Sequence, residues 1–171
     1  NQSRIIYLGA GTSGRIGVQD GVELYPTFGW PKNRIDYVIA GGLSSLTCSI
    51  EGAEDDEKEA VKNIKKLKIV RGDIIIGLSA SGNTPFVIKA LKEAKSFGAL
   101  TIGICNNFDQ KIQKISDLSI VLDTGVEVIA GSTRLKAGSA QKICLNMIST
   151  LCMTKLGKVK DGLMINMVPT N

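Results

Sequence analysis

The sequence has no histidine among its 171 residues. This absence excludes nucleophilic sites in which an imidazole base activates a serine or a cysteine, and it removes the commonest metal ligand in proteins. Any acid–base chemistry must therefore come from carboxylates, lysines, tyrosines or thiols.

Cysteine is scarce, and long apolar runs are missing. The cysteines are Cys48, Cys105, Cys144 and Cys152. None of them forms a Cys-x-x-Cys pair, so we expect no metal site and no redox motif. We expect buried, reduced thiols and a cytoplasmic location. Because the sequence shows neither an apolar span of about 20 residues nor a signal peptide, we expect no membrane partner.

Positive charge exceeds negative charge, and the formal net charge is +5. The densest basic run is "KNIKKLK" at residues 62–68, where Val61, Ile64 and Leu67 add apolar side chains at helical spacing. This pattern is typical of a solvated helix face rather than of a nucleic-acid-binding patch. We therefore expect no nucleic acid partner.

Short apolar runs alternate with helical patterns along the chain. Runs rich in β-branched residues predict strands at 4–9, 35–41, 73–79, 99–105 and 118–122. Helices are predicted at about 13–25, 54–68, 84–97, 109–115 and 134–156. This order predicts an α/β fold in one domain spanning residues 1–171: a doubly wound, five-stranded parallel sheet with helices on both faces.

Glycine-rich loops follow the first and third predicted strands. Residues 9–14 read Gly-x-Gly-x-x-Gly, and shifting the chain by 68 residues aligns residues 6–14 with residues 74–82. Gly9 then coincides with Gly77, and Gly14 with Gly82. Both loops are expected at the carboxyl edge of the sheet, where ligands bind in folds of this type.

The first loop, taken alone, matches a dinucleotide-binding motif. Such a site needs an acid at the end of the second strand to hold the ribose hydroxyls. Here that strand ends in Ile-Ala-Gly-Gly at residues 39–42, and Asp36 lies at its beginning. The sequence therefore favours a site for one phosphate monoester over a dinucleotide site.

Hydroxyl groups and backbone N–H groups are concentrated in these loops and in a third polar turn at residues 131–142. Glycines let the backbone wrap closely around an anion, and a helix N-terminus adds positive potential. Each hydroxyl could instead cap the helix that follows it. Convergence of these segments on one sheet edge favours anion binding. The candidate residues are Gly11, Thr12, Ser13, Ser79, Ser81 and Thr84, with Ser132, Thr133, Arg134 and Lys136 in the third turn.

Several stretches of the chain resemble one protein family. "SASGNTPFVIKAL" is similar to the phosphosugar loop of sugar isomerase (SIS) domains. "YLGAGTSGR", "IEGAEDD" and "EVIAGSTRLKAGSAQKICLNMIST" together resemble the N-acetylmuramic acid 6-phosphate etherases and the related glucokinase regulatory proteins. The resemblance covers essentially the whole chain and implies the SIS-type α/β/α sandwich. The etherases match further at "VELYPTFG" and "LGKVKDGLMINMVPTN".

The resemblance implies a lyase that needs no cofactor. In this family the 6-phosphate sugar opens to its aldehyde, a base removes the proton at C2, D-lactate leaves from C3, and water adds. The resemblance assigns the proton transfers to Glu23 and Glu54. If Glu23 is buried among its apolar neighbours, its carboxyl is biased toward the neutral form. A helix start at Glu54 would favour the carboxylate, which suits a base.

The same resemblance implies the ligand contacts. Thr12, Ser13, Ser79, Ser81 and Thr84 would bind the phosphate or the sugar hydroxyls. Asn83 stands where many etherases have an arginine, and Glu127 would reach the ligand or a second subunit. Arg134 and Lys136 would supply charge-assisted hydrogen bonds.

SIS domains commonly dimerise, so the resemblance also implies a homodimer. An apolar stripe on the last helix, at Ile143, Met147, Leu151 and Leu156, fits either the core of one chain or a dimer face, and we favour the core. Full-length relatives carry helical regions before and after this domain, so we expect the chain to be a fragment of something longer.

Three functions are compatible with these features: the etherase, a sugar-phosphate sensor without catalytic activity, and an aldose–ketose isomerase. Glu23 favours the etherase, because the regulatory relatives lack a glutamate at the matching place. The isomerase is less favoured, because many such isomerases use a histidine.

Overall fold

The structure is a computed structural model and describes residues 3–167. The last four residues of the etherase-like stretch "LGKVKDGLMINMVPTN" lie outside this range. Strands and helices alternate in the order β1 (Ile5–Gly9), α1 (Gly11–Phe28), β2 (Ile35–Ile39), α2 (Glu57–Lys66), β3 (Ile74–Leu78), α3 (Pro85–Ser96), β4 (Leu100–Cys105), α4 (Lys111–Ile115), β5 (Leu118–Val121) and α5 (Lys136–Lys155). A short antiparallel pair follows, β6 (Val159–Lys160) and β7 (Leu163–Met164), which the sequence did not predict. Every predicted strand and helix has a counterpart in the structure.

Strands β1 to β5 form one parallel sheet in the order β2-β1-β3-β4-β5. Gly9, at the end of β1, aligns with Ile39 of β2 on one side and with Leu78 of β3 on the other. The strand order reverses between β1 and β3, and ligands bind at such a reversal in open α/β sheets. The predicted doubly wound sheet is confirmed.

Helices cover both faces of the sheet. On one face, Leu8 of β1 packs in a buried cluster with side chains of α2, α3 and α4, among them Phe86. On the other face, Leu78 of β3 packs with side chains of α1 and α5, among them Leu24 and Leu145. Burying each such side chain contributes about 1.5–3 kcal/mol, so both helical layers are needed to hold the sheet.

A buried polar contact fixes α1 against the sheet and against α5. Asp20 of α1 accepts hydrogen bonds from the Tyr7 hydroxyl at 2.6 Å, the Asn146 amide at 2.7 Å and the Ser149 hydroxyl at 2.9 Å. Burial, together with the nearby Asp20 carboxylate, raises the pKa of Tyr7, so its phenol stays protonated and donates. The α1 and α5 helices therefore form one tied layer.

Helix α1 runs further than predicted. It passes Pro26 and ends at Phe28, followed by Gly29, whose N–H donates to carbonyls of the last turn. The carbonyl that Pro26 leaves without an N–H partner belongs to Val22, a residue that is half exposed, so water can bond to it.

The expectation that all cysteines are buried is wrong. Cys105 is buried and Cys144 is partly buried, but Cys48 and Cys152 are exposed, and all of them are free thiols. Cys48 lies in an irregular segment after β2, and Cys152 lies on the outer side of α5. An apolar sequence context therefore did not ensure burial.

The expectation that the apolar stripe of α5 enters the core is also wrong. Its members are all more than half exposed: Ile143, Met147, Leu151 and Leu156. Helix α5 turns Leu145 and Met153 toward the sheet instead. Two positions along a helix correspond to about 200° of rotation, so the stripe lies on the opposite side from the buried residues.

Among the helices within residues 3–167, none combines the length and the apolar composition needed to cross a bilayer.

Candidate functional site

Three polar segments meet at the carboxyl edge of the sheet. The first loop (residues 10–14) follows β1, the second loop (residues 79–84) follows β3, and the pre-α5 segment (residues 126–136) leads into α5. The first two are neighbours because β1 and β3 pair in register. A methyl group built on Gly138, in the first turn of α5, would lie 3.2 Å from Cγ2 of Thr12. The start of α5 therefore packs against the first loop, and the predicted convergence is confirmed.

The first loop is a tight turn with unbonded hydroxyls. A Cβ on Gly9 would lie 2.7 Å from the backbone of Gly14, so the turn requires glycine there. Gly11 has φ of 53°, and open space surrounds its Cα. Thr12 is partly buried and Ser13 is buried, and neither side chain hydrogen-bonds to another residue within 3–167. Both hydroxyls therefore keep their hydrogen-bonding capacity uncommitted within the described part of the chain.

The second loop has its hydroxyls engaged within the protein. The Ser79 hydroxyl accepts a hydrogen bond from the Gly82 N–H at 3.0 Å and lies 2.8 Å from the Thr84 hydroxyl. The Ser81 hydroxyl accepts from the Asn83 N–H at 3.2 Å. The loop is thus held in shape before any ligand arrives.

Asn83 joins the second loop to the start of α4. Its amide donates to the Gln110 side chain, and its carbonyl oxygen accepts from the Lys111 N–H at 3.2 Å. Both polar atoms of this exposed side chain therefore have protein partners. Asn83, which was a candidate ligand-binding residue, links the second loop to the start of α4.

A polar cavity of about 330 Å³ lies beside the first loop, on the side of β2. Its walls include Ala10 after β1 and Ala40 after β2, so it opens at the carboxyl edge of the sheet. Its charged residues are Arg15, Glu51 and Glu54. Cavities of this size are typical of sites for small ligands.

Glu54 lies in this cavity, but not at a helix start as predicted. Residues Ala53–Asp55 form a separate 3-10 turn, and Asp56 caps α2 by accepting the Glu59 N–H at 2.8 Å. The 3-10 turn packs against α3, the helix that follows the second loop. The exposed Glu54 carboxylate therefore faces a cavity near the reversal of strand order, without a helix dipole behind it.

Glu23 lies elsewhere on the molecule. It is exposed on α1, so the burial on which its expected neutral bias depended is not present. Glu23 is separated from Gly11 by several helical turns, a rise of about 18 Å along the α1 axis. Because the Glu54 cavity is at the Gly11 end, the structure does not bring the two glutamates together within one chain.

Glu127 holds the start of α5. Its carboxylate accepts the N–H groups of Ala137 at 3.0 Å and Lys136 at 3.1 Å. These backbone hydrogen bonds, helped by the nearby Lys136 and Arg134 charges, lower the pKa of Glu127. The Lys136 ammonium donates to the Val126 carbonyl at 2.9 Å, while Arg134 is exposed. Glu127 and Lys136 thus shape the segment that packs on the first loop.

Arg15 is a cavity residue for which sequence reasoning proposed no role. It lies on α1 just after the first loop, and its Nε donates to the Ser45 carbonyl at 2.9 Å. Its position directly after the loop sequence "GTSG" was the one feature of the sequence that could have indicated a role in the site. Ser45, Ser49 and Glu51 were also missed, because no strand or helix was predicted for residues 43–52. Within residues 3–167, no cluster of His, Cys, Asp or Glu is placed to hold a metal ion.

The chain is similar to curated proteins named N-acetylmuramic acid 6-phosphate etherase. It is 50% identical over 168 residues to the one from Geobacillus sp. (strain WCH70), a match that covers 98% of this chain and 57% of that protein. It is 49% identical over 171 residues to the one from Oceanobacillus iheyensis, covering 100% of this chain and 58% of that protein. The chain thus spans somewhat more than half the length of these relatives.

Two further comparisons agree with the fold. The model of the family described as the glucokinase regulatory protein N-terminal SIS domain matches residues 1–95. The chain also superposes with a TM-score of 0.68 on the solved structure of an E. coli CFT073 protein, at 17% identity, covering 94% of this chain and 73% of that one. At that identity the structural likeness bears on the fold. Together with the curated relatives, these matches confirm the resemblance seen in the sequence motifs.

Proposed function

The chain belongs to the family of SIS domains that includes the glucokinase regulatory proteins and the N-acetylmuramic acid 6-phosphate etherases, and from this premise we propose that it binds a hexosamine 6-phosphate and cleaves its lactyl ether. The substrate is N-acetylmuramic acid 6-phosphate, and the products are N-acetylglucosamine 6-phosphate and D-lactate. The proposal depends most on one observation: Glu54 lines a polar cavity at the carboxyl edge of the sheet, together with Ala10 and Gly11 of the first loop.

The residues of this edge supply what the elimination requires. Glu54, as a carboxylate, takes the proton from C2 of the open-chain sugar. The C3–O bond then breaks, and the departing lactate oxygen receives a proton. Water adds its hydroxyl to C3 of the unsaturated aldehyde, and C2 regains a proton. Each step needs a proton transfer and none changes the overall oxidation state, so the proposed reaction requires no cofactor. The Thr12 and Ser13 hydroxyls and the N-terminus of α1 bind the phosphate.

We propose that the chain works as a homodimer, with Glu23 contributed to the site of the second copy. Glu23 lies too far from Glu54 to share a site within one chain. The exposed stripe of α5 lies in the same helical layer as Glu23, because Asp20 ties α1 to Asn146 and Ser149. Two copies that bury this layer would bring Glu23 into an interface. The free thiols, two of them exposed, favour a cytoplasmic location.

The test is D-lactate release from N-acetylmuramic acid 6-phosphate. Glu54→Gln removes the base and is expected to lower kcat by about 100-fold or more. Glu51→Gln, which removes a carboxylate from the same cavity, is the matched control and should retain most of the activity. Mixing the Glu23→Gln and Glu54→Gln chains would then restore about a quarter of the wild-type rate, because a mixed dimer holds one intact site.

The regulatory function is the second candidate, favoured by the match of residues 1–95 to the glucokinase regulatory protein domain. Binding of N-acetylglucosamine 6-phosphate without any lactate release would contradict the lyase reaction and support this alternative. Absence of both binding and release would contradict both functions.

A further inference from the structure

Arg15 is the positively charged residue that lines the Glu54 cavity. The ion pairs formed within residues 3–167 involve Arg4, Lys62, Lys65 and Lys95, and none involves Arg15. Glu51 and Glu54 line the same cavity but do not neutralise the guanidinium through an ion pair. A partly buried arginine in this position is a candidate for binding an anionic ligand.

The guanidinium is already oriented in the absence of a ligand. Its Nε donates to the Ser45 carbonyl at 2.9 Å, and one terminal nitrogen lies 3.4 Å from the Cys48 carbonyl, to which it donates. An arginine carries five N–H donors, so these bonds leave donors for a ligand. Because the backbone of the 43–48 segment already restrains the side chain, little rotamer entropy remains to be lost on binding.

We propose that Arg15 binds the lactyl carboxylate of the substrate and thereby selects it over the same sugar without the lactyl group. This inference rests on the proposed function. The base must reach C2, and the lactyl ether is attached to the adjacent C3. The lactyl carboxylate therefore lies within a few bonds of the carbon from which Glu54 takes the proton. Arg15 and Glu54 line one cavity. The guanidinium pairs well with a carboxylate because it offers parallel N–H donors.

The shape of the cavity allows this placement. Gly11 and Gly52 both line it and have positive φ, and a Cβ on either would meet nothing within 4 Å. Open space therefore remains at these two positions of the cavity that Arg15 also lines. The free hydroxyls of the first loop lie at the same end of α1 as Arg15, so the phosphate and the carboxylate would be bound by separate groups.

The experiment compares the binding of two ligands to chains that all carry Glu54→Gln, so that the substrate is not consumed. Arg15→Gln is expected to weaken the affinity for N-acetylmuramic acid 6-phosphate by about 10-fold to 100-fold, because a charge-assisted hydrogen bond is lost. Its affinity for N-acetylglucosamine 6-phosphate should change by less than about 2-fold, since that ligand has no carboxylate. Arg71→Gln removes the same charge outside the cavity and is the matched control. Isothermal titration calorimetry gives both constants.

Other outcomes overturn the proposal in distinguishable ways. Equal weakening of both ligands would show that Arg15 only supports the 43–48 segment, and unchanged binding of both would show that it does not contact them. In either case the proposed function would stand. If the chain without the Arg15 change binds neither ligand, the proposed function fails as well. Arg15→Lys guards against misfolding, because it keeps the charge and should retain part of the preference.

Discussion

The first and second loops come from similar stretches of sequence but use their side chains differently. In the first loop, the hydroxyls of Thr12 and Ser13 bond to no other residue within 3–167. In the second loop, Ser79 and Ser81 bond to backbone N–H groups and to neighbouring hydroxyls. The two loops lie side by side at the ends of β1 and β3. The second-loop hydroxyls therefore hold their own turn in shape, whereas those of the first loop do not. A hydroxyl that accepts a hydrogen bond can still donate one, so the phosphate contacts expected of Ser79, Ser81 and Thr84 stay a prediction.

The difference teaches that a glycine–serine motif does not by itself define a binding group. A hydroxyl that accepts an N–H of its own loop rigidifies the turn, whereas a free hydroxyl next to a helix N-terminus can serve an anion. The Glu54 cavity borders the first loop and includes none of the residues of the second. The chemistry of the site is thus expected on the side of β1 and β2.

The largest expected difference lies at Gly9 and Gly77, the glycines that the sequence aligns in the strands leading into the two loops. A Cβ on Gly9 would meet the backbone of Gly14 at 2.7 Å, and the backbone of a tight turn cannot move aside. A Cβ on Gly77 would meet the side chain of Leu91 at 2.8 Å, which can repack. We expect Gly9→Ala to cost about 3 kcal/mol or more in free energy of unfolding, and Gly77→Ala about 1–2 kcal/mol.

Urea unfolding followed by circular dichroism measures both values. Equal losses at Gly9 and Gly77 would mean that the backbone contact of Gly9 with Gly14 relaxes as easily as the side-chain contact of Gly77 with Leu91.

A smaller difference is expected between Ser13 and Ser79. Ser79→Ala removes the acceptor of the Gly82 N–H and the partner of Thr84, so it should cost about 1 kcal/mol of stability. Ser13→Ala removes no hydrogen bond within the described chain, and we expect a change within about 0.5 kcal/mol. For N-acetylglucosamine 6-phosphate binding the order should reverse, with Ser13→Ala weakening affinity more. Stability losses in the opposite order would contradict the contrast between the loops.

The smallest expected effect on stability concerns Glu127 in the pre-α5 segment. Like the hydroxyls of the second loop, its carboxylate hydrogen-bonds to the backbone of the protein. Its folded pKa lies below the ordinary value of 4.5, chiefly because the Ala137 N–H bonds the carboxylate. Its contribution to stability is therefore complete above pH 4.5 and is lost as the pH falls through the lowered pKa. Glu127→Gln should be less stable than wild type near neutral pH. The difference in stability between the two proteins should become smaller below pH 4.5. Thermal unfolding across the range measures it, and a gap independent of pH would rule out the carboxylate as the cause.

Much of the fold could be predicted, because local pattern and burial agree along most of the chain. The apolar runs are short and β-branched, and each became a strand of the parallel sheet, although Leu118 of the edge strand β5 is exposed. The boundaries that failed have local causes: α1 continues past Pro26, and Asp56 rather than Glu54 opens α2. The stripe of α5 was misjudged because the sequence cannot tell which of two apolar faces meets the sheet. Leu145 and Met153 occupy the inner face.

The site was predictable as a location but not as a set of contacts. The segments that meet at the carboxyl edge follow from parallel strand order, and Glu54 was assigned through the family resemblance. Arg15 was missed because its carbonyl partners, Ser45 and Cys48, lie in a segment without periodicity. The hydrogen bonds of Asn83 to Gln110 and Lys111 could not be predicted either, because Gln110 lies 27 residues away in the chain.

The sequence by itself determined the class of fold, the edge at which the loops gather, and the absence of imidazole chemistry, because each depends on residue types and their spacing. Tertiary structure alone decided which loop hydroxyls hydrogen-bond within residues 3–167 and that Arg15 lines the same cavity as Glu54. It also decided that Glu23 and Glu54 lie far apart on one chain. These features depend on pairs of groups distant in sequence, and a hydrogen bond or ion pair forms only when packing brings both partners within about 3–4 Å.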